Sequence, residues 1–248
     1  MIIKTKALVI RAISTGDNDR TITLLSQDLG VISVSVRGAA RGKSRLSAVA
    51  QPLMYGEYVL FVSKSKYTLN EAEVIASFFN LASEPEQYET AIQLLRYATD
   101  AAHEPGSAAE ILELTLRALH YLNPDNKKRR DRQLISAIYL LKLIQISGLT
   151  PHVTGCVKCG TKAIDSISFS FQFRGFLCEE CKVQDEMSMS ISQGTAKAIL
   201  YTLCSPITTL FHFELDENLI MPFYHLVYHY LEIVWFINKP NKVSFFNE

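Results

Sequence analysis

Apolar and polar positions alternate with a period of two along the first eighty residues and repeat with helical spacing beyond them. In GVISVSV (30–36), Ile32, Val34 and Val36 share one face and Val31, Ser33 and Ser35 the other, the pattern of a half-buried strand. TKALVIRAI (5–13), TITLLS (21–26), GEYVLFVSK (56–64) and KYTLNEAEVIA (66–76) are β-rich in the same way. Gln27–Gly30 supplies a turn before the third strand, and a hairpin is expected around Ser63–Ser65. About five short strands in about 75 residues are the inventory of a small closed barrel such as an OB-fold, although a sandwich would use the same strands.

From about residue 77 the period changes. PEQYETAIQLLRYATDAA (85–102), ILELTLRALHYL (111–122) and RQLISAIYLLKLIQIS (132–147) predict three helices. Ser107 and Glu110 form a capping box at the head of the second, and Gly148 and Pro151 stop the third. QGTAKAILYTL (193–203) and an aromatic-rich segment at 217–237 predict two more. The expected class is α+β: an N-terminal OB-fold β-barrel, then a helical bundle with an inserted four-cysteine module. The expected segments are a nucleic-acid-binding barrel at 1–78, helices at 79–150, a zinc-ribbon-like module at 151–186, and helices at 187–248 that complete the bundle.

Cysteine spacing adds the first chemistry. Cys156 and Cys159, then Cys178 and Cys181, form two C-x-x-C knuckles eighteen residues apart. Two knuckles at this separation are a strong zinc signature. Four thiolates complete a closed tetrahedron with no open position for water, so one structural zinc ion is expected and metal catalysis is not. ISFSFQF (167–173), followed by Arg174-Gly175, predicts a hairpin carrying the second knuckle. A redox C-x-x-C would need only one pair. Cys204, in an apolar helix, is expected to be a buried small hydrophobe. His225 and His229 stand at i and i+4 but lack the Glu that a zinc hydrolase places after its first His, so they are expected in a core or an interface.

Charge changes the picture again. The chain balances 25 Lys+Arg against 25 Asp+Glu, yet RGAARGKSR (37–45) carries Arg37, Arg41, Lys43 and Arg45 with no acid. A basic, Gly-rich loop between two barrel strands suits phosphates, with small residues that let the backbone approach closely. A solvated loop is the bland alternative. Lys64 and Lys66 are further candidates, and Tyr55, Tyr58, Phe61 and Tyr67 are candidate stacking groups of which about half should face the core. Lys127–Arg132 is a second basic cluster, read as a linker or an extension of the same surface. The glycine spacing around Lys43 does not fit a nucleotide-binding phosphate loop, so no nucleotide cofactor is expected. Arg11 interrupts the first apolar run, and Pro222, His225, His229 and Glu232 interrupt 219–237, which argues against a signal peptide and a membrane span.

The order of motifs resembles the bacterial RecO family of DNA repair and recombination proteins. The residues that carry this are GDNDR (16–20), LGVISVSVRGAARGKSRLSAVAQPL (29–53), LLKLIQISGLTPHVTGCVKCG (140–160) and GFLCEEC (175–181). Asp17 and Leu53 depart from the family's usual Glu and aromatic residue. The resemblance implies non-enzymatic work in the cytoplasm, at the nucleoid: binding single- and double-stranded DNA, annealing strands, and cooperating with RecR to load RecA onto DNA coated by single-strand-binding protein. It implies Arg37, Arg41, Lys43 and Arg45 as DNA contacts, Lys64 and Lys66 behind them, and Cys156, Cys159, Cys178 and Cys181 as zinc ligands. The competing classes are an RNA-binding or transcription-associated adaptor, a zinc hydrolase or nuclease, and a protein-interaction scaffold.

Overall fold

A computed structural model describes residues 1–15, 19–38, 45–64, 66–102, 105–162, 166–183 and 185–237. They fall into two compact units, Met1–Tyr139 and the chain from Leu140 onward.

In the first unit, β1 (Ile2–Thr15), β2 (Asp19–Ser26), β3 (Gly30–Val36), β4 (Met54–Ser63) and β5 (Lys66–Ser77) close into a barrel in the order β1-β2-β3-β5-β4. Closure decides against the sandwich. β3 and β5 run parallel, with Val34 opposite Tyr67 and Ser35 opposite Thr68, and the other joints are antiparallel. A short helix, α1 (Arg45–Val49), stands between β3 and β4 in sequence. This is the OB-like arrangement. The period-two positions fill it: Ala7, Val9, Ile22, Leu24, Ile32, Val34, Val36, Tyr58, Leu60 and Leu69 form the core. Leu8, Ile10 and Leu25 are buried as well. They point outward, beneath α2 (Pro85–Ala101), which packs on β1, and α3 (Pro105–Leu122), which packs on β2 and β3. Both faces of β1 are therefore covered at ALVI, which explains why apolar residues there run without alternation.

The helices follow their apolar spacing. α2 buries Thr90, Ala91, Leu94, Leu95 and Ala98. α3 begins at Pro105, two residues before the expected capping box, because proline is favoured in the first helical turn. α4 (Arg132–Ile146) starts on Asp131, whose Oδ1 accepts from the N–H groups of Gln133 (2.8 Å) and Leu134 (3.0 Å). That carboxylate offsets the unfavourable charge of the preceding basic run at a helix N-terminus. Tyr139, fully buried, joins three helices: its hydroxyl lies 3.1 Å from the Thr115 hydroxyl and donates to the Leu94 carbonyl at 3.2 Å.

In the second unit, β6 (Ile167–Ser170), β7 (Gly175–Leu177) and β8 (Ser188–Ile191) form a sheet in the order β7-β6-β8. β8 corrects the expectation of a simple hairpin followed by helices. SMSI has no strong strand signal of its own, and pairing with β6 defines it. α5 (Glu179–Lys182), α6 (Gln193–Cys204) and α7 (Glu217–Ile237) complete the unit. Lys142 is buried, and its Nζ donates to the carbonyls of Thr202 (3.4 Å), Leu203 (3.2 Å) and Ser205 (2.8 Å). A cation there meets the negative end of α6. Cys204 is exposed, against expectation, because α6 turns Ala196, Ala198, Ile199, Thr202 and Leu203 inward and its last residue falls on the other side. His225 and His229 are exposed too. His229 lies against Phe171 and 3.8 Å from Glu232. Among the described residues no helix is long and apolar enough to cross a membrane.

Candidate metal centre and nucleic-acid interface

The two knuckles bring Cys156, Cys159, Cys178 and Cys181 together, with all four Sγ atoms within 4.8 Å of one another. Cys159 and Cys178 stand 3.7 Å apart. A sulfur tetrahedron around a cation with metal–sulfur bonds of about 2.3 Å has edges of about 3.8 Å, so the spacing fits a metal ion. Local backbone geometry makes this possible. Gly160, at φ +75°, turns the chain so that its N–H donates to the Cys156 carbonyl at 2.9 Å. Gly175 passes so near His152 that a Cβ would sit 2.3 Å from the His152 carbonyl. That approach lets Val157 N–H reach the Phe176 carbonyl at 2.8 Å and ties the first knuckle to the strand feeding the second.

The thiols respond to one another. Burial alone would push Cys156 up, but N–H groups of Cys159, Cys178 and Lys158 donate to its sulfur and bring it down to about 6. Cys181 is pushed up to about 12, chiefly by its bond to Cys178 and by burial. One thiolate is thus prepared in advance, and a cation must drive protons off the neighbours. Among the described residues this is the one group of His, Cys, Asp or Glu side chains positioned to hold a metal.

The basic candidates flank the outer face from opposite directions along the strands: Arg37 follows Val36, which pairs with Arg20 at the start of β2, whereas Lys66 pairs with Ser63 beyond the Phe61–Ile2 pair at the start of β1. Arg37 is exposed just past β3, where Gly38 N–H donates to Asp19 Oδ1 at 2.8 Å and ties the loop's entry to the start of β2. Arg41 and Lys43 lie outside the described residues, as does the side chain of Arg45, whose backbone opens α1. Lys64 and Lys66 are exposed where β4 turns into β5. Of the aromatic candidates, Tyr58 is in the core, donating to the Val49 carbonyl at 3.1 Å. Tyr67 packs partly into the core, Tyr55 is half-buried, and Phe61 is exposed. The sequence reading passed over a surface of small hydroxyls between these groups. Thr21 faces Ser35, Thr23 faces Ser33, and Ser35 faces Thr68 on the outer side of β2, β3 and β5. The signal was present as the polar half of the same alternation.

The second basic cluster is partly neutralised. Arg129 pairs with Glu84 at 2.7 Å and Arg132 with Glu86 at 3.2 Å, tying the loop before α4 to the start of α2. Lys127 and Lys128 remain exposed. A cleft of about 390 Å³ beside them is lined by Glu86, Gln87, Arg129, Arg130, Asp131 and Arg132.

Comparison with known proteins agrees with both halves of this arrangement. Residues 1–78 match the family model described as "Recombination protein O N terminal", and residues 86–237 match "Recombination protein O C terminal". The chain is 37% identical over 218 residues to the DNA repair protein RecO of Acetivibrio thermocellus, covering 88% of this chain and 86% of that one. It is 31% identical over 225 residues to that of Alkaliphilus metalliredigens (91% and 88%) and 29% identical over 199 residues to that of Bacillus pumilus (80% and 76%).

Proposed function

Given that the chain belongs to the RecO family of DNA repair and recombination proteins, which are non-enzymatic mediators, we propose that it binds single- and double-stranded DNA and anneals complementary strands. With RecR it loads RecA onto DNA coated by single-strand-binding protein, acting in the cytoplasm at the nucleoid. Arg37, Arg41, Lys43 and Arg45 contact phosphates, with Lys64 and Lys66 behind them. The cysteine centre holds one structural zinc ion: when bound, the ion supplies a crosslink between the knuckles and no reaction step. The four-segment division at 78, 150 and 186 belongs to the same proposal.

The observation that carries it is the closed OB-like barrel, whose hydroxyl-covered outer face lies between Arg37 on one side and Lys64 and Lys66 on the other. Two strands repel through their phosphates. A basic surface lowers that repulsion and concentrates both strands, while base pairing reads the sequence. Charge reversal by Arg41→Glu with Lys43→Glu is therefore expected to slow annealing of complementary oligonucleotides by about tenfold or more, with circular dichroism unchanged. Normal annealing and normal DNA affinity in that variant would refute the assignment.

A further inference from the structure

Phe61 stands apart from the rest of the barrel's aromatic residues. Along β4, Tyr58 and Leu60 turn inward and are buried, while Phe61 turns outward and leaves 48% of its surface in water. Its cross-strand neighbours are Ile2 on β1, 64% exposed, and Thr68 on β5. The same row continues from Thr68 to Ser35 and then to Thr21. These side chains are small, so nothing bulky rises beside the ring on that flank.

Charge bounds the patch. Ser63 pairs with Lys66 two residues beyond the Phe61–Thr68 pair, which places Lys66 on the same outward face as Phe61, a diagonal step of roughly 7–8 Å away. Lys64 is in the adjoining turn, with φ +46°. Toward the other end of the same strands the charges are mixed: Glu57 faces Glu73 and pairs with Lys4 at 2.6 Å, and Glu71 faces Val59, so among the described residues the lysine end is the one without acids on this face. A polyanion crossing the barrel is drawn to the lysine end, where the aromatic ring is. Phe61 and Ile2 together make too small an apolar area for a stable protein partner, which needs roughly 800 Å² on each side. One exposed ring beside two cations suits one unstacked base and its flanking phosphates.

We propose that Phe61 is a base-stacking point for single-stranded DNA, with Lys66 and Lys64 holding the adjacent phosphates, so that the strand crosses the barrel from β3 over β5 onto β4. This deepens, and rests on, the DNA-binding function proposed above. Stacking is non-ionic and needs a base free of its duplex neighbours. It therefore separates from phosphate contact in two ways: it favours single strands, and it leaves the salt dependence alone.

The test compares the full chain with Phe61→Ala and Phe61→Trp, using oligo-dT and a duplex of equal length. Phe61→Ala is expected to weaken oligo-dT binding about tenfold, to leave duplex binding unchanged, and to keep the slope of affinity against salt. Phe61→Trp is expected to retain affinity and to show emission quenched by oligo-dT; the chain's one native tryptophan, Trp235, is buried and gives a constant background. Equal losses on both ligands, or unchanged oligo-dT affinity in Phe61→Ala with no quenching in Phe61→Trp, would overturn the assignment while leaving DNA binding intact. If the unaltered chain binds neither ligand at low salt, the DNA-binding function itself fails and this site with it.

Discussion

Lys142 shows how much a single buried charge can organise. It lies in an apolar helix and its ammonium meets three carbonyls at the end of α6, with Gln145 adding a fourth contact to Leu203 at 3.1 Å. Lys142→Met removes the cation and leaves those carbonyls without it. The expected loss is about 2 kcal/mol, read as a lower urea midpoint with an unchanged slope. Neither feature was legible beforehand, since nothing in LLKLIQIS distinguishes a capping lysine from a surface one. Cys204 failed for the opposite reason: its neighbours are apolar, but helical phase at the last residue of α6 directs it to solvent.

At the scale of elements, the cysteine module is the sharpest case. The knuckle spacing and Gly160 announced the site, and the four sulfurs converge as that spacing requires. What the spacing did not announce was β8, because four residues of Met, Ser and Ile carry little strand preference until β6 offers its edge. The thiol pattern has a pH consequence. Cys181, at about 12, is protonated at pH 7 in the metal-free protein, and Cys159 is also held above the ordinary thiol value, so loading a metal releases protons. Metal affinity is therefore expected to rise with pH, by about tenfold per unit for each proton that leaves. Competition against a chromogenic chelator between pH 6 and 8 measures this, and a flat profile would contradict it. Native mass spectrometry is expected to show one zinc ion per chain. Cys178→Ser is expected to lose the ion and expose residues 156–181 to protease; an intact, protease-resistant module without metal would show that the ion is not structural.

At the scale of the whole molecule, net neutrality hides a division of labour. By count, residues 1–80 carry ten Lys/Arg and six Asp/Glu, a net of +4, and residues 187–248 carry three and five, a net of −2. Local charge rather than the total decides what a surface attracts. The barrel was legible because β3 alternates and ends where GVISVSV ends, although β1, covered on both faces, does not alternate at ALVI. The pairing of Arg129 with Glu84 and of Arg132 with Glu86 was not, because it joins groups about 45 residues apart in sequence. Those exposed pairs contribute little stability, but they direct two of the five cations in Lys127–Arg132 toward carboxylates. The paired arginines should therefore add less to DNA binding than their charge suggests: Arg129→Ala with Arg132→Ala is expected to lower affinity less than about twofold at about 0.15 M salt, and a loss of about tenfold would make them principal contacts.

The measurement that bears most directly on the central claim is fluorescence anisotropy of a labelled single-stranded oligonucleotide, titrated with the protein at several salt concentrations. Phosphate contacts make the logarithm of affinity fall linearly with the logarithm of salt, by about 0.7 per phosphate neutralised on a single strand. The account predicts a slope of several units, reduced by about 3 when Arg37, Arg41, Lys43 and Arg45 are all replaced by alanine. A slope that the quadruple variant leaves unchanged, or an absence of binding at low salt, would contradict it.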